Sequence, residues 1–120
     1  MDYKHTRTKL KIENEYPKLV RDKIPELVEK RTGKKPKIRM MKSDKECERY
    51  LKTKVVEEAD ELKNAKGKIH LAEEMADILE IFDSLLELNK LTIKDVKKVQ
   101  RQKAKERGGF GKKLLMLEKA

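Results

Sequence analysis

A chain of 120 residues holds one domain and one modest core, and 45% charged against 37% hydrophobic residues makes that core thin. No apolar run approaches the ~18 residues of a membrane span, and residues 1–11 are too basic and polar for a secretory signal. The net charge of +10 is laid out in blocks, +9 over residues 1–54, −6 over 55–90 and +7 over 91–120, and a plain nucleic-acid binder explains the basic arms but not the acidic centre.

In chain order, residues 1–15 form a polar lead-in, and residues 16–120 are expected to form a single helical domain. Pro17 biases Tyr16 toward extended backbone. Asp22 is placed to cap a first helix with Pro25 in its opening turn, Ile24, Leu27 and Val28 on one side, and an end at Thr32-Gly33. Residues 35–41 read as a short extended piece with Ile38 and Met40 on one face, suited to an edge strand or small hairpin. Ser43 or Asp44 caps a second helix that runs to about Asn64, with Glu46 in its first turn. Gly67 marks a break. A third helix, about Ile69 to Leu88, is the most apolar stretch. Thr92 caps a fourth, which Gly108-Gly109 stops near Glu106. Phe110 to Ala120 is a tail. The predicted fold is an all-α bundle of about four helices, the second and third antiparallel. So thin a core predicts a homo-oligomer, at least a dimer.

Cys47 is the one cysteine, so no internal disulfide forms, and this fits a reducing cytoplasm. It stands in an ordinary helix start with no histidine near it in sequence, which makes a catalytic thiol a poor reading. His5 and His70 have no evident partners and receive no role.

The second and third helices carry Glu57-Glu58-Ala59-Asp60-Glu61 and Glu74-Met75-Ala76-Asp77. Residues three apart share a helix face, so Glu58 pairs with Glu61 and Glu74 with Asp77. At about 100° per residue, Glu58 falls beside the stripe of Leu51, Val55, Ala59 and Leu62, with Glu61 on its flank. Glu74 falls inside the arc of Ile78, Leu79, Ile81, Phe82 and Leu85, with Asp77 near its edge. Glu57 and Asp60 point further out, and Glu80, Asp83 and Glu87 lie opposite. Acidic residues at this spacing are ordinarily a solvated face. Two such pairs on adjacent helices, each at an apolar margin, are better explained by a shared cation. Burying an uncompensated carboxylate costs several kcal/mol, on the order of a small domain's stability. An all-oxygen set without histidine suits Mg²⁺, with Mn²⁺ possible, and not Zn²⁺.

E-E-x-x-E, twelve residues, then E-x-x-D resembles the MazG-like all-α nucleotide pyrophosphohydrolases, which include phosphoribosyl-ATP pyrophosphohydrolase and the helical dUTPases. Lys18-Leu19-Val20-Arg21-Asp22-Lys23-Ile24-Pro25 and Arg107-Gly108-Gly109-Phe110 resemble the opening and closing motifs of a short branch thought to remove noncanonical nucleotides. The resemblance spans about Tyr16 to Leu117. It implies that Glu58, Glu61, Glu74 and Asp77 ligate Mg²⁺ and that Glu57 orients water or supports a ligand. It also implies that Lys54 meets phosphate, and that a nucleoside triphosphate is cleaved between its α and β phosphorus atoms. Glu61 or Glu57 could accept the water's proton. Arg21 and Lys23 are candidates for phosphate, with solvated residues at a helix start as the alternative. Arg107, followed by two glycines, allows close backbone approach to phosphate, or is simply a basic last turn. Lys97, Lys98, Arg101, Lys103 and Lys105 form a basic face from which Arg101 or Lys103 could reach substrate. Phe110 could stack on a base, although packing is the commoner use of a lone aromatic. The rival readings are phosphoribosyl-ATP pyrophosphohydrolase, a basic nucleic-acid-binding module, and a helical interaction protein that keeps the fold without the catalysis. The two flanking motifs argue against the first, five Phe and Tyr against the second, and the intact carboxylate set against the third.

Overall fold

The computed structural model describes residues 16–120. The lead-in expected over residues 1–15 lies outside them, as does His5. The fold is all-α: α1 Ile24–Thr32, α2 Asp44–Lys63, α3 Gly67–Leu88 and α4 Ile93–Arg107. Among the described residues there is no strand.

The frame is a hairpin of α2 and α3, each about 30 Å long, and theirs is the extensive helix–helix contact among the described residues. Ser43 opens α2 by accepting the Glu46 N–H on its hydroxyl at 3.1 Å. At the other end Asn64 donates its side-chain amide to Asp60 O at 2.7 Å, and the chain turns at Gly67, whose φ of +81° is open to glycine at no steric cost. Helix α3 thus starts two residues before the position its apolar pattern suggested. Thr92 and Asp95 form a full capping box at the start of α4, and Gly108 donates its N–H to Ala104 O at 2.8 Å at its end.

Two expectations need correction. Asp22 does not cap α1: Lys23 holds the cap position without a side-chain cap bond. Pro25 occupies the second helical position and has no N–H for a cap to satisfy, so the carboxylate has little to gain there. Residues 35–41 are not a strand but an irregular connection, because no strand among the described residues completes a ladder with them. Ile38 and Met40 are exposed, and Arg39 instead forks onto Glu46 with bonds of 2.8 and 3.1 Å.

The interior of the hairpin is unusual in content. Among the described residues the buried apolar side chains are Leu51 and Ile81, while Glu58, Glu61 and Glu74 are buried as well. Ile24, Leu27 and Val28 on α1 are half-buried, as expected for its inner side. Every residue from 91 to 120 is exposed, so α4 and the tail project from the hairpin. No helix among the described residues is long and apolar enough to cross a membrane.

Candidate metal centre

The helical periods of α2 and α3 turn their acidic motifs toward each other. Glu74 is 0% exposed, Glu58 3% and Glu61 6%, so three of the four residues placed at the apolar margins are buried, Glu74 and Glu58 more deeply than Leu51 or Ile81. The side chain of Asp77 is 19% exposed and closes the group toward solvent. Glu58, Glu74 and Asp77 each offer an oxygen, and the three oxygens lie within 4.8 Å of one another. Glu61, one turn beyond Glu58, is buried but contributes no oxygen to that trio. Glu80, Asp83 and Glu87 are exposed, as the wheel required.

Two ionised oxygens 4.8 Å apart repel by roughly 3–4 kcal/mol at an effective dielectric of about 20. Summed over three pairs this approaches the whole stability of a small domain. Positive charge close by relieves this repulsion, and the chain supplies some of it. Arg21, in the stretch before α1, donates from Nη2 to Asp77 Oδ1 at 2.7 Å. Lys54 Nζ lies 3.2 Å from Glu57 Oε2, with both side chains 17% exposed. Lys18 stands in the field of Lys54, Glu57 and Glu58; its burial, helped by the neighbouring Lys54 charge and opposed by the two glutamates, pulls its amine down to about 8. Its Nζ also sits 5.9 Å from the Tyr16 ring centre. The ligand atoms the trio offers are all carboxylate oxygens, a set that fits a hard divalent cation such as Mg²⁺ or Mn²⁺.

The structure therefore brings Glu58, Glu74 and Asp77 together across the hairpin, with Arg21 on Asp77, while Lys54 pairs with Glu57 beside Glu58 on α2 and Glu61 is buried one turn further along, outside the trio. Lys23 is exposed at the α1 cap position. Lys103 and Arg107 are exposed on α4, which makes no extensive contact with the hairpin. Phe110 is 99% exposed and packs on none of the described residues. Cys47 is half-buried on α2, and burial pushes its thiol pKa up, away from the reactive thiolate.

Two residues near the carboxylates had escaped the sequence reading. Lys18 lay inside the opening motif, but nothing in its spacing linked it to Lys54. His70 stands with Nε2 3.2 Å from Glu74 Oε1, and the four-residue spacing of the two on α3 was the available signal. No family model matches the chain, nor does any curated protein or solved structure.

Proposed function

We propose that this chain is a Mg²⁺-dependent nucleoside triphosphate pyrophosphohydrolase of the MazG-like all-α type, acting on noncanonical nucleotides in the cytoplasm. The observation that carries the reading is the trio of oxygens from Glu58, Glu74 and Asp77 within 4.8 Å, enclosed between two helices. Glu61 completes the proposed ligand set from the next turn of α2. Bound there, Mg²⁺ supplies charge neutralisation for the triphosphate and makes water a better nucleophile at neutral pH.

The chain's own groups do the rest. Water attacks the α phosphorus, the bond from that phosphorus to the α–β bridging oxygen breaks, and pyrophosphate leaves with the bonding electrons. Glu61 or Glu57 takes the water's proton. Lys54, held beside Glu57 at 3.2 Å, and Arg21 and Lys23 before α1 hold the anionic oxygens of the substrate. Lys103 and Arg107 belong to the part of the reading that depends on assembly, since α4 stands away from the hairpin. The partner proposed for the exposed apolar faces of α3 and α4 is a second copy of the chain.

The test is a panel of canonical and modified triphosphates with Mg²⁺, scored for pyrophosphate against orthophosphate release. The expected products are a monophosphate and pyrophosphate. Glu58→Gln and Asp77→Asn are each expected to lower turnover by at least ~10²-fold with helicity intact by circular dichroism. Turnover retained in both variants would remove these carboxylates from the mechanism. Binding of nucleic acid that is steeply salt-dependent and indifferent to Mg²⁺, with no hydrolysis, would favour the basic-module reading.

A further inference from the structure

We propose that His70 is a positioning residue for Glu74, a role that rests on the carboxylate reading above. His70 lies in the opening of α3, on the same face as Glu74. Its Nδ1 accepts the backbone N–H of Lys66 at 3.2 Å. A ring nitrogen that accepts a hydrogen bond carries no proton, so the ring proton sits on Nε2. Nε2 is the atom 3.2 Å from Glu74 Oε1.

The start of the helix thereby chooses the tautomer, and the tautomer puts the protonated ring nitrogen beside a carboxylate that is 0% exposed. The contact is close but is not a hydrogen bond, because the N–H is not aligned on the oxygen. A polar ring nitrogen packed 3.2 Å from one carboxylate oxygen limits how the group can turn and so the direction of the other oxygen. His70 is not one of the three residues whose ligand atoms cluster, so it acts through Glu74 and not as a ligand. Glu74 is also the one member of that trio from which solvent is wholly excluded.

Mn²⁺ binding followed by electron paramagnetic resonance tests this, with the melting temperature of the metal-free protein measured beside it. His70→Leu removes both nitrogens and is expected to weaken Mn²⁺ binding by about tenfold or more. His70→Gln keeps an N–H on a side chain of similar reach and is expected to recover most of that loss. A merely structural histidine would lower the melting temperature of the leucine variant and leave its Mn²⁺ affinity alone, which would overturn the proposal. The wild type provides a second readout should the leucine variant not fold. The chain has two histidines, so the ¹⁵N resonances of the His70 ring are readily separated from those of His5. They are expected to report the Nε2–H tautomer and to shift on addition of Mg²⁺. The Nδ1–H tautomer, or a ring blind to Mg²⁺, would overturn the role. A wild type that binds no Mn²⁺ sinks the carboxylate reading and this role together; equal binding by wild type and His70→Leu sinks this role alone.

Discussion

Glu46 gathers three donors: both terminal nitrogens of Arg39 and the backbone N–H of Lys42. The Arg39 bonds and then the Lys42 N–H hold its carboxyl at about 2, well below its ordinary 4.5. The folded state thus binds the proton less readily than the unfolded chain, so the stabilisation is fully present above about pH 4.5 and is lost as pH falls toward 2. Glu46→Gln is expected to flatten the fall in melting temperature between pH 5 and 2 without removing it, because Asp95 is also held low by its Thr92 partners. An identical fall in wild type and variant would contradict this account. At this same scale the burial of Glu58 and Glu74 was legible, because angular position on a helix is a property of sequence alone. The pairing of Arg21 with Asp77 was not. The two are 56 residues apart, and no period connects an irregular stretch to a helix face.

Among the elements, caps and breakers were readable because their chemistry is local. Ser43, Thr92, Gly33 and Gly108 stand where the helix ends required them. The failed strand over residues 35–41 shows the converse: alternation describes a face, but a strand exists only against a neighbour, which those seven residues cannot reveal. Helix α4 offers the clearest test of local control. It has 15 residues, all exposed, a length at which an isolated helix is marginal. Its Thr92–Asp95 box therefore matters more than a cap on a packed helix. Thr92→Ala is expected to cost α4 about 1 kcal/mol. Amide exchange in α4 should then quicken about fivefold, with α2 and α3 unchanged. Exchange that quickens uniformly over all four helices would show instead that α4 unfolds only with the hairpin.

The whole molecule has more apolar surface than one hairpin can cover. Leu71, Met75, Leu79 and Phe82 recur along one side of α3 at 43–57% exposure, and Ile93, Val96 and Val99 do the same along α4 at 44–56%. Composition had already announced a core too small to stand alone, but which faces remain open could be seen only once α2 and α3 were paired. Sedimentation should place the wild type above the mass of one chain, and the double variant Leu79→Glu, Phe82→Glu at it. A wild type that sediments as a single chain at micromolar concentration would leave these faces without the partner proposed for them.

The contact between Arg21 and Asp77 has a consequence for loading. On the function proposed above, a cation at Asp77 Oδ1 would compete with the guanidinium that holds it at 2.7 Å. The affinity an ion displays therefore includes the work of that exchange. On the same proposal the exchange would also be a recruitment, since it would leave a fork-shaped donor beside the incoming polyanion.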